Sequence, residues 1–334
     1  MQIDTLSKEW LLLGHKNDFS RSCPNKIVIK SVDIVVAYLD GNFKAFIDIC
    51  PHRLSSFEGG KIQNNHLVCP YHGSEFDSNG SLKNVPAIKP CKKTPSLNLK
   101  SFNLHEDTLG LLWINFNKDD SAPFIEDFQA SFIEGDNLHF NYELRTSPLP
   151  ILENFVDCSH TNFVHGGLFR GAPMNEVKVK VETSDRSVKI TTTGEKNTDA
   201  FLPKLFNPSG NELVHIDEFL APYTVKVIYQ LRFLKITTVS VLTPIEEMKT
   251  KVKTIVNIQG NFLLKLFKPL LNLYVWKILK QDTIILERQS KNLRKINDSF
   301  FSHDIPIIEI HKVYHAFKNG TSVSSTLKTF EMIL

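Results

Sequence analysis

Between Cys50 and His72 the chain places two short Cys/His pairs, Cys50-Pro51-His52 and Cys69-Pro70-Tyr71-His72. The sixteen residues Arg53 to Val68 separate them. No other stretch limits the fold as much, because four such ligands act together only if two loops are held side by side. Two thiolates and two imidazoles can hold a zinc ion or a [2Fe–2S] cluster. Structural zinc sites commonly pair like with like, as Cys-x2-4-Cys and His-x3-5-His. Here each pair is mixed, so each loop can give a thiolate to one iron and an imidazole to the other. The second loop runs on as Gly73-Ser74-Glu75-Phe76-Asp77-Ser78-Asn79-Gly80, a turn-rich hairpin signal.

The residues around these loops read as short strands. Lys26–Lys30, Ile34–Leu39, Phe43–Asp48 and Leu109–Phe116 are strand-like, and Asp40-Gly41-Asn42 is a hairpin turn. This predicts an all-β module with the ligand loops at hairpin tips; without the four ligands it would read as a plain small β-barrel. The polar stretch Asn117 to Pro123 is the expected boundary, giving domains 1–118 and 124–334. A chain of 334 residues is long enough for two cores. A net charge of +3 spread along it gives no argument for nucleic acid. Five cysteines, two of them in the ligand loops, argue against a disulfide framework and for a reducing, cytoplasmic location. No signal peptide is visible at the N-terminus.

A second motif follows Pro148-Leu149-Pro150. It runs Asn154-Phe155-Val156-Asp157-Cys158-Ser159-His160-Thr161-Asn162-Phe163-Val164-His165, ahead of Gly166-Gly167. Helical spacing starting near Ile151 puts Asp157 and His160 on one face, with His165 near the helix end. Two His and a carboxylate on one side of a site, the other side open, suit non-haem Fe(II). Taken alone, an Asp and two His on a helix also arise by chance.

From Asn175 to Ile258 strands return at Val177, Val188, Thr224, Thr237 and Lys251, alternating apolar residues with Lys or Thr as for a sheet with one wet face. Asn197 to Val214 reads as a long loop. Asn261 to Lys280 is a largely apolar segment with four lysines and Pro269, which argues against a spanning helix. It predicts packing on the sheet, with membrane or apolar-substrate contact the less favoured reading. Gln281 to Gln289 continues its helix. The tail around Ile307 to Val313 reads as a strand or short helix, with His303, His311 and His315 at the surface or in packing.

Cys50-x-His52 and Cys69-x-x-His72, followed by Asn154-x-x-Asp157-x-x-His160-x4-His165, resemble the cluster and mononuclear-iron motifs of the Rieske non-haem iron oxygenases, in that family's order. Ser74 stands where the family usually has Trp. The resemblance covers nearly the whole chain, as far as a terminal helix, and is greatest with single-component-type oxygenases such as vanillate O-demethylase. It implies an α+β chain: an N-terminal all-β Rieske [2Fe–2S] domain, then a helix-grip catalytic domain of antiparallel sheet wrapped by helices. It implies Cys50, His52, Cys69 and His72 on the cluster, and His160, His165 and Asp282 on Fe(II), with Glu287 the fallback carboxylate. Asn154 would lie near that iron or simply start its helix.

Asp157 would bridge His160 to His72 of a neighbouring subunit in a homotrimer, carrying electrons between centres. O2 would be co-substrate, and NAD(P)H would act through a separate reductase, a ferredoxin, or both. The implied activity is hydroxylation or O/N-demethylation of a small aromatic or alicyclic molecule. The alternatives are ring cis-dihydroxylation, or oxygenation or desaturation of a large apolar molecule such as a sterol or tetrapyrrole. Outside the enzyme class stand an electron carrier whose second domain has lost its iron and a zinc-stabilised binding module.

Overall fold

The computed structural model describes residues 9–88, 96–117, 136–168, 174–195, 213–230, 235–260, 268–292 and 299–334. The chain divides into two compact units, Met1–Phe124 with Ile245–Glu247, and Ile125–Pro244 with Met248–Leu334. Beyond Asn117, the polar stretch read as the boundary lies outside the described residues, as does most of the loop expected over Asn197 to Val214.

The first unit comprises β1 (Trp10–His15), β2 (Asn25–Ile29), β3 (Val32–Leu39), β4 (Asn42–Ile47), β5 (Lys61–Gln63), β6 (His66–Val68), β7 (Glu75–Phe76), β8 (Leu82–Asn84), β9 (Ser101–Glu106) and β10 (Leu111–Asn115). One sheet runs β1-β10-β9-β4-β3-β2 and a smaller one β5-β6-β7-β8. Lys30-Ser31, Asp40-Gly41 and Asn64-Asn65 each carry positive φ at both residues. Two-residue turns between twisted antiparallel strands require that conformation. Asn65 joins two of these turns, accepting the Asp40 N–H at 2.8 Å. Beneath the smaller sheet, Phe57 and Phe76 meet edge to face with centroids 5.8 Å apart. They share a core with Val35, Leu39, Phe46 and Leu67, and that core also buries Cys50 and Cys69.

The second unit contains β11 (Asp136–Leu144), helices α1 (Pro148–Val156) and α2 (Thr161–Val164), β12 (Glu176–Thr183), β13 (Ser187–Glu195), β14 (Leu213–Leu220), β15 (Thr224–Gln230), β16 (Lys235–Glu246), β17 (Lys249–Gln259), α3 (Lys268–Ser290), α4 (Ile305–Asn319) and β18 (Thr326–Ile333). Its sheet runs β11-β17-β16-β15-β14-β13-β12-β18. On β12, Val177, Val179 and Val181 are buried while Lys178 and Lys180 are exposed, so one face is wet. Helices cover the other face: α4 against β12 and β13, α1 against β14 and β15, α3 against β11. This is the expected antiparallel sheet gripped by helices.

Three details depart from the sequence reading. Strand β14 was passed over, because its buried positions include His215 and Asp217 rather than apolar residues. The tail is a full helix, α4, with Pro306 in its first turn and Gly320 closing it at φ 67°. The last element is then not a helix but edge strand β18, paired with β12 from Glu176↔Ile333 to Thr183↔Thr326. Helix α3 buries Leu271, Leu279 and Leu286, while Leu270, Leu273, Trp276, Ile284 and Ile285 remain exposed, so its packing on the sheet is partial. Residues 261–267 of the apolar segment lie outside the described residues. Among the described residues no helix is long and apolar enough to cross a membrane.

Glu309 anchors α4 to the sheet. Its buried carboxylate accepts from Lys312 and Lys328 at 2.7 Å and from the Thr183 hydroxyl at 3.0 Å. Burial alone would push this carboxyl up, but the two lysines and Thr183 outweigh it and hold it below its ordinary value. A depressed carboxyl contributes stability above its unfolded pKa and loses it as pH falls through the folded one. Glu309→Gln is therefore expected to cost about 1–3 kcal/mol at neutral pH. That deficit should shrink below about pH 4.5, as read from urea unfolding across a pH series.

Candidate cluster loops and metal site

The first ligand loop leaves β4 and the second leaves β6, and the two are built alike. The Cys50 N–H donates to the Ser55 carbonyl at 2.8 Å and the Cys50 carbonyl accepts from Leu54 at 2.9 Å. In the second loop the Cys69 N–H donates to Ser74 at 2.9 Å and the Cys69 carbonyl accepts from Gly73 at 3.0 Å. Leu54 and Gly73 occupy equivalent places, both at positive φ (59° and 71°). Glycine reaches that region freely; Leu54 does so under strain.

The result is two buried cysteines beneath two exposed histidines. The His52 and His72 rings lie 4.8 Å apart between centroids, and Tyr71 packs against His72 at 3.8 Å with its ring tilted by 32°. Burial pushes the Cys50 thiol up to about 11; the His52 and Arg53 main-chain N–H groups oppose the shift, while the Cys69 sulfur beside it adds to it. Two adjacent buried sulfurs carry negative charge only against a cation, which suits them to a metal centre.

Asp48 fastens the first loop, a role that sequence reading did not find. Its side chain is buried; Oδ1 accepts the Phe57 N–H at 2.6 Å and Oδ2 the Ser56 hydroxyl at 2.5 Å. Asp77 does the same after the second loop, accepting from Asn79 and Ser81 N–H at 2.9 and 2.8 Å. A short polar residue ahead of a turn is a weak signal for such latches.

The second motif is not one helix. Helix α1 ends at Val156, and Asp157 caps it in extended conformation. Oδ1 of Asp157 accepts both the Ser159 N–H at 2.8 Å and its hydroxyl at 2.5 Å, an Asx turn that stops the helix. His160 precedes the short α2, and His165 closes it ahead of Gly166. Both histidines reach their positions through these breaks rather than through helical spacing. Asn154 sits half-buried on the last turn of α1.

Asp282, from the middle of α3, completes the group. His160, His165 and Asp282 offer ligand atoms all within 4.8 Å of one another. Oδ1 of Asp282 lies 3.0 Å from Nε2 of His165 and 3.5 Å from Nε2 of His160. Atoms about 3 Å apart have the spacing of neighbours on a metal with bonds of about 2.1 Å. That oxygen is buried and, among the described residues, has no aligned hydrogen bond, as a metal-facing atom would be. Burial would raise the Asp282 carboxyl, but the two histidines outweigh it and hold it down. Burial would lower the His160 imidazole, but the Asp282 carboxylate beside it, with Asp157, outweighs burial and raises it.

The far side of each imidazole is also held. Nδ1 of His160 meets the main-chain carbonyl of Asp157, with Oδ2 of Asp157 at 3.8 Å. Nδ1 of His165 meets Oε1 of Gln281 at 3.0 Å. Such partners fix the tautomer and aim Nε2 at the shared point. Gln281 and the Asp157 carbonyl left no mark in the sequence that would single them out. Glu287 is engaged elsewhere, accepting the Arg145 N–H at 3.2 Å. His311 pairs with Glu153 at 2.6 Å and ties α4 to α1, while His303 sits by Asp304.

Residues 9–103 match the Rieske [2Fe–2S] domain, and residues 144–309 match the vanillate O-demethylase oxygenase C-terminal domain. The chain belongs to the Rieske oxygenase family. The Rieske domain contains both Cys/His loops, and the oxygenase domain contains His160, His165 and Asp282.

Among curated relatives of this Rieske oxygenase, the oxygenase component of dicamba O-demethylase from Stenotrophomonas maltophilia is 29% identical over 164 residues, 47% of this chain and 46% of that protein. A methylxanthine N1-demethylase from Pseudomonas putida is 30% identical over 148 residues, 43% of this chain and 41% of that protein. The chain thus spans less than half the length of these curated relatives. A crystal structure of dicamba monooxygenase bound to 3,6-dichlorosalicylic acid superposes with a TM-score of 0.78 at 18% identity, covering 93% of this chain and 97% of that one. At that identity the likeness speaks for the fold.

Proposed function

We propose that this chain is the terminal oxygenase component of a multicomponent Rieske monooxygenase, which hydroxylates or O/N-demethylates a small aromatic or alicyclic molecule. The observation that carries this reading is the meeting of His160, His165 and Asp282 at one point, in a chain that also has a Rieske domain. Cys50 and Cys69 would hold one iron of the cluster, His52 and His72 the other. His160, His165 and Asp282 would hold a mononuclear Fe(II), leaving positions open. When bound, that iron supplies O2 activation with electrons delivered through the cluster.

The protein's own part is orientation and proton control. The Asp157 carbonyl and Gln281 set the two imidazoles. Tyr142, kept protonated by burial and the Asp282 charge despite the Thr254 hydroxyl beside it, remains a hydrogen-bond donor near the metal group. Asn154 would stand near the iron from the last turn of α1. Asp157 would also link His160 to His72 of a neighbouring copy in a head-to-tail trimer. Electrons would come from NAD(P)H through a separate reductase or ferredoxin.

The test is anaerobic purification, an iron count, and low-temperature EPR after dithionite. About three irons per chain and a rhombic Rieske signal are expected. Two irons that added Fe(II) fails to raise would leave an electron carrier, and a colourless zinc protein would overturn the reading.

A further inference from the structure

Strand β14 reverses the usual polarity of a sheet. Its positions on the helix-covered face are His215, Asp217 and Phe219, while Val214 and Ile216 point the other way. Asp217 is 1% exposed. Nε2 of His215 lies 2.9 Å from Oδ1 of Asp217, off the alignment of a hydrogen bond, and neither Asp217 oxygen accepts one among the described residues. Across the strands, Tyr229 stacks on the His215 ring at 4.2 Å. Thr192, opposite His215 on β13, is wholly buried, and its hydroxyl is also unsatisfied.

A buried carboxylate whose described neighbour is one unaligned imidazole is a costly arrangement in a fold. Folds keep such local conflicts chiefly at functional sites. The position supports that reading here. Helix α1, which packs on β14 and β15, is the helix whose end delivers Asp157 and His160. Further along the covered face, Ser240 meets Thr254 at 2.9 Å, and Thr254 meets Tyr142, beside the metal group, at 3.4 Å.

We infer that Asp217, with His215 beside it, is a polar anchor for the substrate: it accepts a hydrogen bond from an ammonium, N–H or O–H group and disfavours a substrate carboxylate. Only the description of the ligand as substrate rests on the oxygenase reading; the anchor itself rests on the geometry of β14.

Three probes share one ring and one methyl ether: para-methoxybenzylamine, para-methoxybenzyl alcohol and para-methoxybenzoate. Calorimetric titration of the holoenzyme is expected to show the amine, the alcohol or both binding on the order of tenfold more tightly than the benzoate. If the alcohol matches the amine, a neutral donor suffices; if the amine alone gains, charge is required; both support the anchor. In Asp217→Asn the preference should fall to within about threefold. The same variant, relieved of its unsatisfied charge, should melt about 2–4 °C higher without ligand.

Benzoate binding as tight as both donor probes, absence of binding by all three, or a preference that survives in Asp217→Asn would overturn the proposal. So would a variant that melts lower or does not fold, which would mark Asp217 as structural. The wild-type ranking needs no variant at all. Failure of the oxygenase reading would appear separately, as iron missing from the wild-type protein.

Discussion

Asp282→Ala is expected to lower bound iron from about three to about two per chain, leave the Rieske EPR signal intact, and cut turnover by at least about a hundredfold. The expectation rests on the position of one atom. Oδ1 of Asp282 stands 3.0 and 3.5 Å from the two imidazole Nε2 atoms. No described group gives that atom an aligned hydrogen bond. On the proposed reading, deleting it would remove one of three protein ligands and the negative charge that would offset the metal. Glu287 provides the control. It lies five residues further along α3 and receives the Arg145 N–H, so Glu287→Gln should retain all the iron. Should Glu287→Gln lose the mononuclear iron and Asp282→Ala keep it, the assignment would be reversed.

For Asp157→Asn the expected result is different: both metal sites stay filled and turnover falls about 10- to 100-fold. Asparagine keeps a carbonyl oxygen for the Ser159 N–H and hydroxyl, so the turn that ends α1 survives. The main-chain carbonyl that orients His160 is unchanged as well. What disappears is the charge at Oδ2, 3.8 Å from Nδ1 of His160. Stopped-flow oxidation of the reduced cluster in single turnover separates the possible causes. Slow cluster oxidation with normal iron content supports the bridging role, and an unchanged rate would remove it.

Much of the candidate site was legible because its candidate ligands sit close together in sequence. Each cluster ligand lies within four residues of its loop partner, and His160 and His165 are separated by one short helix. The strands with apolar–polar alternation were legible for a similar reason, since period two needs only neighbours. The continuous helix through Asp157 was misread, because the spacing of three residues is shared by a helix and by a cap followed by a turn. Strand β14 was missed because the alternation rule assumes an apolar covered face, and here that face carries His215 and Asp217.

The sequence alone determined the candidate ligands: two mixed Cys/His loops, then two histidines beside an aspartate, in one order along one chain. Local spacing suffices for that, because the covalent chain itself keeps such ligands near one another. Tertiary structure supplied the carboxylate beside the two histidines, the partners that aim each imidazole, and the His215–Asp217 pair beneath α1. Gln281 meets His165 across 116 residues, and Asp282 reaches both histidines from the same helix. Contacts at that range depend on how α3 packs against β11 and α1. No short window of sequence specifies that packing, because it follows from the burial of whole faces rather than from any one residue.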